Sequence, residues 1–120
     1  IPLMERAIEI RERVFGPDHS FVGEPVGELA AFQLALGRYA EAEALFRRAA
    51  ELGRKEPEHR VHEITTPRIG QARCLAALGR PAEAAAVLGA EREQCAADAR
   101  ALVDAALAEI EAGRTTQPAH

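Results

Sequence analysis

The side chains best able to do chemistry in this chain are few, and their spacing argues against most of it. His59 and His62 stand three residues apart with Glu63 next. On a helix that spacing puts two imidazoles and a carboxylate near one face, as a zinc site needs. No third His or Cys lies nearby in sequence, so a solvated first helical turn is the plainer expectation. Cys74 lies in an apolar helical stretch between Ala72 and Leu75, where a thiol is expected to be buried and inert rather than nucleophilic. Cys95 falls in a weakly patterned junction and is expected to be exposed. Neither cysteine belongs to a C-x-x-C pair, and there is no G-x-S-x-G and no phosphate-cradling glycine loop. Acid and base four residues apart, such as Glu9 with Arg13 and Glu43 with Arg47, read as solvated helix surface. The sequence therefore predicts no enzyme, no metal site and no cofactor.

What remains is binding, and composition narrows the partner. A net charge of −4 and a pI near 5.6 leave no basic stripe to replace counterions along phosphates, which excludes nucleic acid. No run of about 18 apolar residues exists to span a bilayer and no leader opens the chain, so a cytoplasmic protein with reduced thiols and no membrane contact is expected. Apolar residues make up 48% of the chain but aromatics only 4%, with no Trp. Small aliphatic residues, Ala above all, must then supply the packing, and that favours helices lying close together.

The elements that would carry a binding surface come from an internal repeat. LGRYAEAEALF (36–46) reappears as LGRPAEAAAVL (78–88), placing Gly37 and Gly79 42 residues apart. The same shift lays Leu3, Met4, Arg6, Ala7, Glu9 and Ile10 under Leu45, Phe46, Arg48, Ala49, Glu51 and Leu52, so the chain opens inside a repeat and is expected to be a fragment. Leu3, Ala7, Ile10 and Val14 share one face of an opening helix that Gly16 and Pro17 stop. A second helix carries Leu29, Phe32, Gln33 and Leu36 and ends at Gly37. A third runs from Tyr39 to about Gly53, a fourth follows the Pro57 turn and ends at Leu78, and a fifth opens with Pro81. A final helix, 98–112, presents Ala99, Leu102, Val103, Ala106 and Ile110, after a break between Gly89 and Asp98. Its other side, with Arg100, Asp104 and Glu111, stays wet. Leu29, Phe32, Leu36, Ala42, Leu45, Phe46, Ala72, Leu75, Leu78 and Leu88 are the expected core. Connections of two or three residues make successive helices antiparallel.

LGRY followed by AEAEALFRRAAEL, together with the Gly16-Pro17-Asp18-His19 loop, resembles the tetratricopeptide repeats of the kinesin light chain type over roughly residues 2 to 92. The resemblance implies an all-α, right-handed tetratricopeptide (TPR) solenoid of antiparallel helix hairpins. It divides the chain into the second helix of a partial repeat (1–15) and two repeats (18–54 and 57–92), and the one-sided apolar face of the final helix makes 98–112 a C-terminal capping helix. Together these form one domain over 1–113, before a polar tail at 114–120. It also implies a concave groove that binds a protein or peptide. Where relatives often carry paired Asn before the residues matching Leu29 and Ala30, this chain has Gly27 and Glu28, then Ile69 and Gly70. An Asn-mediated grip on a peptide backbone is therefore not implied.

In the second and fourth helices the face opposite the core-facing residues holds Gly27, Glu28, Ala31, Leu34 and Ala35, then Gly70, Arg73, Ala76 and Ala77. Such a trough is shallow and mostly apolar, suited to an amphipathic helix or extended apolar segment. Alanine there also satisfies plain helix propensity. Pro25 and Pro67, again 42 residues apart, must kink their helices or start them afresh, and each frees the carbonyl four residues back, at Phe21 and Glu63. Three uses follow: binding in this trough, within a larger regulatory protein; self-association through the exposed opening helix; and, with few converging polar groups to support it, a small-molecule sensor or enzyme accessory domain using the trough. Fourteen Arg against the single Lys55 suggest a high-GC bacterial gene.

Overall fold

A glycine that enters the left-handed region ends a helix and reverses the chain, and two such glycines set the hairpins here. Gly37 (φ 78°) and Gly79 (φ 80°) follow α2 and α4. In each case the glycine N–H and the next N–H turn back onto the helix: Gly37 to Leu34 O at 3.0 Å and Arg38 to Gln33 O at 2.9 Å, then Gly79 to Ala76 O at 3.0 Å and Arg80 to Leu75 O at 2.9 Å. This paired closure satisfies the last carbonyls and makes the next helix begin within two residues.

The computed structural model of the chain describes residues 1–55 and 64–116, with side chains as far as 113. Among the described residues every regular element is helical. They are α1 (Pro2–Phe15), a 3₁₀ turn (Ser20–Val22), α2 (Gly23–Ala35), α3 (Tyr39–Gly53), α4 (Thr66–Ala77), α5 (Pro81–Gln94) and α6 (Ala97–Thr116). Consecutive helices pack as antiparallel hairpins, and the all-α solenoid expected from the repeat is the fold. The break before the last helix falls at Cys95 and Ala96, and α6 runs past Gly113 to Thr116 rather than stopping at 112. The histidine pair with Glu63 and the Pro57 turn lie outside the described residues.

Three apolar clusters follow one another along the stack. Ile8, Val22, Val26, Leu29, Ala49 and Leu52 join α1, α2 and α3. Ala30, Ala42, Phe46 and Cys74 join α2, α3 and α4. Ile69, Ala72, Leu75, Ala84, Leu88, Ala99, Val103, Ala106 and Ile110 join α4, α5 and α6. Most expected core positions are filled as read, but Phe32, Leu36, Leu78 and Leu102 are exposed, and Leu45 is only half-buried. Leu36 and Leu78 are the residues just before the reversing glycines, where the chain is already leaving the interface. Phe32 and Leu102 sit at the edge of their stripes, on the side where no neighbouring helix covers them. Cys95, expected to be exposed, is buried because it turns into the last cluster.

The core is not wholly apolar. Glu43, expected on the surface with Arg47, is buried: its Oε2 accepts from Gln71 Nε2 at 3.0 Å, while Arg47 reaches Oε1 at 3.5 Å. Gln71 accepts in turn from Arg68 at 2.7 Å. Thr65 donates its hydroxyl to the buried Glu91 at 2.6 Å. Thus a buried carboxyl group joins α3 to α4 through Gln71, and another joins the residue that caps α4 to α5 through Thr65.

Phe46 carries the closest packing. An added Cβ at Gly70 would stand 2.6 Å from the Cε1 and Cζ of that ring, whose own exposure is 6%. Phe46→Ala is expected to lower the unfolding free energy by about 3 to 5 kcal/mol, and Gly70→Ala by about 1 to 3 kcal/mol through overpacking. In urea denaturation the Gly70→Ala loss should shrink in a Phe46→Leu background, since the two residues are coupled. An unchanged loss would place the crowding elsewhere.

Candidate interaction groove

Between α2 and α4 the inner surface opens into a groove of about 470 Å³ whose floor is α3. Phe46, Ala49 and Gly53 form that floor, while Gly27 and Ala31 on α2 and Thr66 and Pro67 on α4 form its walls. Small residues keep it open: an added Cβ at Gly27 would only touch Ala49 at 3.9 Å. The 3₁₀ turn closes one end with Phe21, where Arg11, Glu24 and Glu28 supply the charge.

The prolines explain that end. Pro25 is the third residue of α2 and follows the 3₁₀ turn, and Pro67 is the second residue of α4 and follows a π turn at Ile64 and Thr65. Both therefore start their helices rather than kink them. The Phe21 carbonyl that Pro25 leaves without a helical donor is not open for a ligand, because Arg11 Nη1 donates to it at 2.9 Å. The counterpart at Glu63 lies outside the described residues. Arg11 is also 4.0 Å from Glu24, an exposed pair that contributes little. Glu28 is exposed and has no ion pair among the described residues, so the groove mouth carries an excess of negative charge.

Phe21 belongs to an exposed aromatic group. Its ring meets Phe15 edge-on at 5.0 Å and His19 at 4.8 Å. The backbone N–H of Phe21 donates to His19 Nδ1 at 3.1 Å, which fixes the turn. Such edge contacts hold the rings while leaving their outer faces available.

The sequence-predicted trough residues separate into two places. Gly27, Glu28 and Ala31 line the groove. Arg73 and Ala76 line a smaller depression of about 210 Å³, against Glu109, Ile110 and Gly113 of α6. Arg73 is there paired with Glu109 at 3.4 Å. Gly70 is buried under the Phe46 ring, Leu34 is half-buried beside Phe46, and Ala35 and Ala77 are exposed at the ends of their helices. Arg11, Phe21 and Glu24 were missed as groove residues. The freed Phe21 carbonyl was the available signal for them, since a carbonyl without a helical donor needs another one close by.

No group of three or more His, Cys, Asp or Glu able to hold a metal occurs among the described residues, and none of their helices is long and apolar enough to cross a membrane. Burial, and then the negative field of Glu43, push the Cys74 thiol up to about 11; burial first also raises Cys95.

Residues 26–93 match a family model described as Tetratricopeptide repeat, and residues 1–20 match a second model with that description. No curated protein and no solved structure matches the chain.

With a thiol pKa near 11, roughly one Cys74 in a thousand is ionised at pH 8. Both thiols are expected to react with an aromatic disulfide reagent only after denaturation. The raised pKa favours the folded state below the unfolded value near 9 and loses that contribution as pH rises toward 11. Stability should therefore fall less steeply between pH 9 and 11 in Cys74→Ala than in the wild type, and equal slopes would contradict the assignment.

Proposed function

Because the chain belongs to the tetratricopeptide repeat family, we propose that its inner groove binds a segment of another protein. An apolar side chain of that segment would lie over Phe46 and Ala49, with a Lys or Arg turned toward Glu28. Repeats of this family generally mediate protein–protein interaction and form a non-enzymatic scaffold. The observation that carries the finer reading is the open, apolar-floored groove between α2 and α4, with carboxylates but no unengaged cation among the described residues at its mouth. Burying an apolar anchor there supplies the main driving force. Charge complementarity at Glu24 and Glu28 mainly sets orientation and association rate.

Gly27, Glu28 and Ala31 form the centre of the proposed site. Arg73 and Ala76 are a peripheral contact, because Arg73 is already engaged by α6, and Gly70 acts only by letting Phe46 form the floor. The 42-residue period and the Gly16-Pro17-Asp18-His19 loop support a repeat of the kinesin light chain type. Composition supports a bacterial, cytoplasmic setting, in which the module would serve a larger regulatory protein.

Peptides selected from a displayed library against the wild-type chain provide the test. Their affinity is expected to fall at least tenfold on Ala31→Trp, which fills the groove, and more modestly on Glu28→Lys. Arg73→Ala should leave it nearly unchanged, and circular dichroism checks that each variant folds. Normal binding by Ala31→Trp combined with loss in Arg73→Ala would replace the groove with a charge-led contact beside α6.

A further inference from the structure

Among the hydrogen bonds that hold the turn at the end of the groove, one depends on a proton. Arg48 of α3 donates to the Pro17 carbonyl at 3.3 Å, Arg11 of α1 to the Phe21 carbonyl at 2.9 Å, and the Val22 N–H to the His19 carbonyl at 3.0 Å. Guanidinium and backbone donors keep their protons at ordinary pH. The Phe21 N–H, by contrast, donates to Nδ1 of His19 at 3.1 Å. That nitrogen accepts only while it is bare, whereas an imidazolium donates from both of its nitrogens. A second proton on the ring therefore sets donor against donor, and the 3₁₀ turn loses the side chain that caps it.

The His19 ring also lies 5.2 Å from that of Phe15 and 4.8 Å from that of Phe21. Cation–π attraction keeps an imidazolium beside these faces but cannot restore the acceptor. The elements packed on the turn bring Arg11 and Glu12 from α1, Glu24 from α2 and Arg48 from α3, and the loop itself adds Asp18. Arg48 holds Glu12 at 2.8 Å and Arg11 stands 4.0 Å from Glu24, while Glu51 and Arg54, further along α3, stand near Arg68 of α4. Of these side-chain types only an imidazole changes charge between about pH 5 and 8.

We propose that His19 is a proton-operated latch on the groove, a proposal that rests on the groove being the peptide site. With a neutral ring the turn is fixed and Phe21 forms the end wall against the bound segment. With a second proton the Phe21 N–H loses its acceptor, and binding then carries the cost of ordering that wall again. The groove grips its segment in neutral or alkaline solution and loosens in mild acid.

Amide NMR of the 120-residue chain gives the first test. The Phe21 N–H is expected to move upfield as its hydrogen bond is lost between about pH 8 and 5.5. In His19→Asn it should stay, because asparagine at a cap accepts the same N–H through an oxygen that does not titrate. The second probe is the set of library peptides that Ala31→Trp weakens. Over the same range their affinity should fall about fivefold for the wild type and less than about twofold for His19→Asn, and His19→Ala should bind weakly throughout. His59, His62 and His120, outside the described residues, are common to all variants, so the difference between wild type and His19→Asn belongs to His19. The proposal is overturned by a Phe21 N–H that does not titrate. An affinity that stays constant in the wild type, or falls equally in His19→Asn, overturns it too. If Ala31→Trp weakens none of the peptides, the groove reading falls instead, and the Phe21 N–H alone decides the latch.

Discussion

The close approach of α3 and α4 at Phe46 and Gly70 is the constraint on which the rest of the chain depends. A side chain at position 70 would hold the two helices apart, and glycine lets the ring lie against bare backbone. The same ring is the floor of the groove between α2 and α4. Core packing and binding surface are thus two sides of one residue. The shape of the groove cannot be altered at its floor without disturbing the middle cluster, and specificity is free to change only at the walls and mouth.

The chain has no single centre. Each cluster joins three successive helices and shares helices with the next, so α3 and α4 take part on both of their sides. Stability in such an arrangement is close to a sum of neighbour terms. Apolar contacts between Ala-rich helices are weakly directional, and a helix could slide along its neighbour at little cost. The buried bonds from Gln71 to Glu43 and from Thr65 to Glu91 remove that freedom, because each is geometrically demanding and costly to leave unmade.

Much of this was legible because the repeat fixes phase. Glycines at 37 and 79 announced the hairpins, and the apolar spacing found Phe46, Leu75 and Leu88 as core. What the pattern could not reveal was which side of a wide stripe is covered. Phe32 and Leu102 have the same spacing as their buried neighbours, and only the position of the next helix leaves them exposed. Nor could it reveal that Gln71, which stands where the preceding repeat has the apolar Leu29, would be buried with a carboxylate. Polar residues inside a helix read as surface unless their partner on another helix is known. For the groove, the small residues of α2 were visible. Those of α4 were not separable from it, because α6 takes up Arg73 and Ala76.

Arg11 reaching the Phe21 carbonyl has a consequence for how the chain orders itself. Pro25 cannot close the first turn of α2, so the donor comes from α1, across the boundary at which the repeat begins again. The sequence counts one period from loop to loop, but the entrance of the period that opens with α2 is completed by the helix before it. The smallest cooperative piece is therefore offset from the repeated piece and straddles the seam between two copies. Excision at the loop, the boundary the alignment suggests, would sever such a piece through its middle.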